Sequence, residues 1–130
     1  MRFVLLQVQK ILQRFPPLIF VVEIALGFFR QFQSKPAQHL HPILQNQLVP
    51  VFVDVNLGDY TAIPERLAAA IGPKTKAVMM AHTMGVPFHL DAVMDLVKKH
   101  NLWLIEDNCD ALGSTYRDKL TGTYGHLSTF

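Results

Sequence analysis

The densest chemistry in this sequence is the run Glu106-Asp107-Asn108-Cys109-Asp110, at the end of the apolar stretch Leu102–Asp107 (LWLIED). A second polar pair, His82-Thr83, closes another apolar stretch, Ala77–Thr83 (AVMMAHT). Ligands of open α/β sheets bind beyond the carboxyl ends of the strands, so both places are where a site would be built. A carboxylate held at a strand end, as Asp107 would be, can pair with a protonated ring nitrogen. That pairing keeps a pyridoxal-type ring cationic, so that it accepts electrons from a carbanion. On spacing alone, the commoner role for such a residue is to cap the next turn or to face water. Asp110, three residues on, reaches the same ligand if Asn108–Leu112 turns helically, and is otherwise a surface carboxylate. Cys109 reads on spacing as a small buried residue; as an iron–sulfur ligand it needs about three more cysteines, and the sequence has one cysteine in all. His82, on an apolar strand, reads as a hydrogen-bonded core histidine, and Lys98-Lys99 as a solvated helix end.

The elements that must position these groups alternate between two textures. Leu48–Val55 (LVPVFVDV) is short, β-branched and aromatic, as strands are, and Gly58, Asp59 and Tyr60 break it. Pro64–Ile71 (PERLAAAI) predicts a helix with proline in its first turn and Gly72-Pro73 as its stop. Ala77–Thr83 is a second strand, punctuated by Gly85 and Pro87. Asp91–His100 (DAVMDLVKKH) predicts a helix with Val93, Met94 and Val97 on one face, an acid at its start and bases at its end. Leu102–Asp107 is the third strand. Near-continuous apolar strands separated by helices signify parallel βαβ units covered on both faces. Ser114–Phe130, rich in glycine and threonine, reads as a hairpin or loop leading toward a further strand.

Residues 1–40 do not fit this rhythm. They hold six of the nine phenylalanines and six glutamines, and within residues 1–50 five bases face the single acid Glu23. The remaining eighty residues mix nine acids with seven bases. The expectation is a boundary near residue 40, with 1–40 an N-terminal segment of a shifted reading frame or misplaced start, and 41–130 a partial domain. Pro17–Phe29 (PLIFVVEIALGFF) is shorter than the ~20 residues a membrane helix needs and carries Glu23, so it reads as soluble or as outside any folding unit.

Composition excludes several classes. Half the residues are hydrophobic and the net charge is +2, which argues against disorder, nucleic-acid binding and an anionic membrane partner. One cysteine excludes a disulfide framework and fits a reducing, cytoplasmic compartment. There is no Walker loop, GxGxxG, HExxH or GxSxG, so nucleotide-phosphate cradles, zinc peptidases and serine hydrolases have no support.

Leu102–Ser114 (LWLIEDNCDALGS), with Val49–Val55, Lys74–Phe88 (KTKAVMMAHTMGVPF), Leu90-Asp91 and Thr121–Gly125 (TGTYG), resembles the DegT–StrS family of sugar aminotransferases. The likeness is nearest to its 3-dehydratase branch, which acts on CDP-4-dehydro-6-deoxyglucose in lipopolysaccharide biosynthesis, and it runs from about His41 to Phe130. The ED-x-C-D-A-L-G and AHT-x-G-x-PF runs carry the dehydratase likeness. The resemblance implies part of the three-layer, mostly parallel-sheet large domain of fold type I pyridoxal-phosphate enzymes. It implies that Asp107 is the ring-nitrogen partner, that Asp110 lies beside the cofactor, and that Cys109 is one ligand of a [2Fe–2S] cluster. It implies pyridoxamine or pyridoxal 5′-phosphate as cofactor, a CDP-linked 4-keto-6-deoxy sugar losing its C3 hydroxyl, a flavin/iron–sulfur reductase as electron donor, and a homodimer.

The same resemblance places the catalytic base, a histidine in place of the usual lysine, beyond Phe130 with the other cluster cysteines, so no catalytic residue is expected within the chain. The phosphate-binding glycine/serine loop is expected upstream, and residues 1–40 contain nothing like it. His126 stands where the family commonly has aspartate, a departure expected to weaken a local hydrogen bond. Two competing readings are a nucleotide-sugar aminotransferase, favoured less by Cys109 and Asp110, and an inactive remnant with exposed strand edges.

Overall fold

β-Branched and long apolar side chains fit the pleated surface of a sheet when both faces are covered, and three such runs form its centre here. The computed structural model describes residues 19–23 and 36–130, with side chains from residue 41 onward. Its elements are β1 (Ile19–Glu23), α1 (Pro36–Gln45), β2 (Val49–Val53), α2 (Pro64–Ala70), β3 (Thr75–Ala81), a 3₁₀ turn (Thr83–Gly85), α3 (Leu90–His100), β4 (Trp103–Asp107), β5 (Thr115–Tyr116), β6 (Lys119–Leu120) and β7 (Leu127–Thr129). Among the described residues, five strands form one parallel sheet in the order β2-β1-β3-β4-β7, and β5-β6 is a separate antiparallel ribbon.

Alternation along β3 and β4 divides the core in two. Val78, Met80 and Leu104 point to one face, where Leu67 of α2 and Leu90, Val93 and Val97 of α3 cover them together with Phe88. Ala77 and Ile105 point to the other face, against Ile43 of α1 and Leu48 just after it. Helix, sheet and helix therefore make the three layers expected from the sequence.

Each helix stops for a local reason. α3 carries Asp91 in its first turn and Lys98, Lys99 and His100 in its last, matching the helix dipole at both ends. It ends at Asn101 in the left-handed conformation (φ 51°), which directs the Leu102 amide back to the Val97 carbonyl at 2.9 Å. α2 begins with Pro64 and stops before Gly72-Pro73. α1 was not foreseen, because Pro42 sits inside it.

The first forty residues need a correction. The apolar run at Pro17–Phe29 supplies β1, which lies between β2 and β3 rather than outside the folding unit. A strand paired with parallel neighbours on both edges often reads as a continuous apolar run, and such a run carries no alternation to distinguish it from a segment without structure. The hairpin expected in Ser114–Phe130 is present: Arg117 (φ 45°) and Asp118 (φ 61°) both take positive φ, as a two-residue turn of the I′ kind requires. The further strand is present too, as β7. Among the described residues no helix is long and apolar enough to cross a membrane.

Packing of this kind predicts a contrast between two leucines. Leu104→Ala, at a position with no exposed surface, should lose about 2–5 kcal/mol. Leu57→Ala, at a position 80% exposed, should stay within about 0.5 kcal/mol of the parent. Urea unfolding of the purified protein reads both, and equal shifts would overturn the core assignment.

Candidate active site

Parallel pairing brings the carboxyl ends of β3, β4 and β7 together, with Ala81 beside Asp107 and Asp107 beside Thr129. Glu106 and Asp107 are consecutive, so their side chains leave opposite faces of β4. The two carboxylates consequently live in different surroundings.

Glu106 has no exposed surface. An ionised carboxylate in such a place must be met by donors, and four are present. Oε2 accepts from the Gly122 amide at 2.7 Å and from His82 Nε2 at 3.0 Å. Oε1 accepts from the Tyr124 amide at 2.8 Å and from the Gly125 amide. A carboxylate has no hydrogen to give, so His82 carries its proton on Nε2. The His82 ring is also buried and stacks on Phe88, with centroids 4.4 Å apart and planes 6° from parallel. This bears out the reading of His82 as a hydrogen-bonded core histidine. Burial pushes the Glu106 carboxyl up more than any single contact moves it. The His82 N–H and the Gly125, Gly122 and Tyr124 amides together outweigh burial and hold the group below its ordinary value.

The loop that supplies these amides has little freedom. Gly122 adopts φ +84°, and a Cβ there would lie 2.6 Å from Asn108 Nδ2 and from Ser128 Oγ. A Cβ on Gly125 would lie 2.8 Å from the Leu104 carbonyl oxygen. His126 then brackets Leu104: its amide donates to the Leu104 carbonyl at 2.9 Å, and its Nδ1 accepts from the Leu104 amide at 3.0 Å. The local hydrogen bond at His126 is thus present, with a neutral imidazole nitrogen as the acceptor for the strand amide.

Asp107 is 6% exposed, and its Oδ1 accepts from the Cys109 amide at 3.0 Å and from the Thr129 hydroxyl at 2.8 Å. It therefore does cap the turn that follows, as the commoner reading held, while also being buried at the carboxyl end of the sheet. Cys109 is exposed, contrary to the small buried residue expected from spacing, because the chain leaves the sheet at Asn108. Asp110 is exposed as well. Asn108–Leu112 forms separate turns rather than a helix, closed by Ala111 N–H to the Asn108 carbonyl and Ser114 N–H to that of Ala111.

The donor set at Asp107 fits a pyridoxamine or pyridoxal ring. A nearly buried carboxylate, fixed through one oxygen by two uncharged donors at a strand end, suits a protonated ring nitrogen. The described residues do not fit a [2Fe–2S] cluster in the same way. They supply one thiol, and among them no three His, Cys, Asp or Glu side chains gather as metal ligands. Sequence reasoning missed Glu106 as an organiser, together with Thr129. The signal for the first was a lone acid in an apolar strand followed by TGTYG, since a buried carboxylate requires backbone donors and glycine permits their close approach.

Residues 38–130 match the DegT/DnrJ/EryC1/StrS aminotransferase family. The chain is 57% identical over 90 residues to a dTDP-4-dehydro-2,6-dideoxy-D-glucose 3-dehydratase of Saccharopolyspora spinosa, covering 69% of this chain and 20% of the relative. It is 43% identical over 109 residues to the lipopolysaccharide biosynthesis protein RfbH of Salmonella typhimurium, covering 84% of this chain and 23% of the relative. That second match reaches into the first forty residues. An aminotransferase from Psychrobacter cryohalolentis superposes with a TM-score of 0.79 at 29% identity, over 95% of this chain and 29% of the other. The chain spans about a fifth of the length of the curated relatives it matches.

The Glu106 network predicts an acid-sensitive element of stability. Its folded pKa is lowered, so its contribution is complete above the ordinary value of 4.5 and is lost as pH falls through the lowered one. Glu106→Gln, with one acceptor oxygen facing four donors, should lose about 3–5 kcal/mol at neutral pH and flatten the acid limb of the stability profile. Chemical denaturation between pH 3 and 7 tests this, and an unchanged acid limb in the variant would assign that limb to other groups.

Proposed function

Because this chain belongs to the DegT/DnrJ/EryC1/StrS aminotransferase family, we propose that it forms the ring-nitrogen side of the cofactor site in a nucleotide-sugar 3-dehydratase. The observation that carries the proposal is Asp107: nearly buried, at the carboxyl end of β4, with Oδ1 fixed by the Cys109 amide and the Thr129 hydroxyl. The 57% identity to a protein named as a sugar 3-dehydratase, across a stretch that includes most of residues 41–130, supports dehydratase over aminotransferase.

Pyridoxamine 5′-phosphate, when bound, would supply an amine for a 4-keto sugar and a cationic ring that draws off electron density while the C3 hydroxyl leaves. The chain's own part is electrostatic. Asp107 would hold a proton on the ring nitrogen, and its burial would keep water from competing for that contact. Asp110, three residues on and exposed, is proposed beside the cofactor on the sequence resemblance alone. His82 and His126 are engaged by Glu106 and by the Leu104 amide, so neither is assigned as the base. That base, a histidine, is proposed to come from beyond Phe130. Cys109 is proposed as a single cluster ligand at most, and no step is routed through it.

The substrate proposed is a nucleoside-diphosphate-linked 4-keto-6-deoxyhexose. The CDP form comes from the sequence resemblance, and the dTDP form from the name of the Saccharopolyspora relative. A flavin/iron–sulfur reductase and a second copy of the chain complete the proposed assembly.

The purified protein carrying this chain, given pyridoxamine phosphate and the CDP-, dTDP- or GDP-linked keto sugars, should remove the C3 oxygen from one of them without glutamate. An amino sugar formed at the expense of glutamate would instead establish the aminotransferase reading. Failure to bind either cofactor form would establish an inactive remnant. Asp107→Asn should weaken pyridoxamine phosphate binding by roughly tenfold or more, as loss of one member of a shielded charge pair does. Equilibrium titration followed by absorbance reads the change.

A further inference from the structure

Carboxylates at the end of an aspartate side chain turn easily, because the terminal torsion is broad and only two-fold. A carboxylate that must meet a planar ring along one direction therefore needs an outside hold. Here Oδ1 of Asp107 has two, the Cys109 amide at 3.0 Å and the Thr129 hydroxyl at 2.8 Å. The first is local to the turn. The second comes from a different strand, 22 residues away, and is fixed by sheet geometry.

Thr129 is the direct neighbour of Asp107 in the parallel register of β4 and β7. Its carbonyl also accepts the Asn108 amide at 3.0 Å. The threonine thus grips β4 on both sides of the Asp107–Asn108 peptide, by main chain and by side chain. Branching at Cβ stiffens its first torsion, so the hydroxyl is presented in a fixed direction. The register behind this placement is set upstream, where Glu106 and Leu104 hold Gly122, Tyr124, Gly125 and His126.

We infer that Thr129 is a positioning residue for the cofactor ring, its hydroxyl orienting the Asp107 carboxylate toward the ring nitrogen. The inference rests on the reading of Asp107 as ring partner proposed above, and deepens it by naming the side chain that sets the angle. The Thr129 hydroxyl and the Cys109 amide are uncharged, so these two contacts orient the carboxylate without offsetting its charge.

The test uses the protein carrying this chain, with pyridoxamine 5′-phosphate labelled with ¹⁵N in the ring. Four samples are compared: the parent, Thr129→Val, Thr129→Ser and Asp107→Asn. The readouts are the cofactor dissociation constant, the ring-nitrogen chemical shift across pH, and the thermal midpoint of the cofactor-free protein. Thr129→Val should weaken binding by about tenfold, the scale of one hydrogen bond to a charged group, and move the ring nitrogen toward its unprotonated shift. Thr129→Ser, which keeps the hydroxyl, should recover most of both. Should the valine variant fail to fold, Thr129→Ala gives the same comparison in a smaller side chain. If Asp107→Asn changes binding and shift while Thr129→Val changes only the thermal midpoint, the threonine is purely structural and the inference is overturned. If Asp107→Asn itself leaves binding and shift unchanged, the ring-partner reading fails and the inference falls with it.

Discussion

A carboxylate with no exposed surface, one residue from the end of a central strand, is the constraint on which this arrangement depends. Moving such a charge out of water costs several kcal/mol even after the protein relaxes. The cost is offset only if the oxygens receive hydrogen bonds at close range. Glu106 receives one from a side chain, His82, and three from the main chain of Gly122, Tyr124 and Gly125. Main-chain donors differ from side-chain donors in one respect: meeting them fixes the path of the backbone itself. Satisfying Glu106 therefore fixes a loop.

That loop fixes a strand. With Gly122 to Gly125 held against β4 and His126 bracketing Leu104, the chain enters β7 in a single register, Ile105 beside Leu127 and Asp107 beside Thr129. The glycines make the close approach feasible, since a Cβ at either position would fall within 2.8 Å of atoms of β4, of Ser128 or of the turn after β4. The His82 ring ties the same carboxylate to the end of β3 and stacks on Phe88 in the main core. One buried acid thereby joins three strand ends and the hydrophobic core into a rigid unit. Rigidity of this kind is what a site at strand ends needs, because a ring held by a single carboxylate tolerates little error in angle.

How much of this was legible in the sequence follows from which interactions are local. β3, β4, α2 and α3 were readable because each is a run of one texture with a stop beside it: Gly72-Pro73 after α2, and the bases Lys98 and Lys99 at the end of α3. α1 was not readable, since Pro42 reads as a breaker and yet occupies its interior. β1 was not readable because a strand covered on both sides by parallel neighbours shows neither alternation nor turn signals. Asp107's place at the end of a strand was readable from the apolar run that precedes it. Its partner Thr129 lies 22 residues away, and the pairing depends on a register that no short-range pattern encodes. The exposure of Cys109 was missed for a related reason: the residue follows a buried strand in sequence but leaves the sheet in space.

The two acids of β4 show why register matters more here than composition. They are adjacent and of like charge, yet pleating sends Glu106 toward the α2–α3 layer and its loop, and sends Asp107 to the opposite face beside Thr129. A slip of one residue along β4 would turn each acid to the other face of the sheet. Glu106 would then leave the Gly122, Tyr124 and Gly125 amides that now meet it, and an aspartate one methylene shorter would stand on their side. Such a slip would also put Trp103 in the place of Leu104, or Glu106 in the place of Ile105. Hydrophobic packing therefore opposes the slip. The four donors to Glu106 oppose it as well, because they meet that carboxylate in this register. The buried Glu106 thus helps to set where its neighbour Asp107 stands.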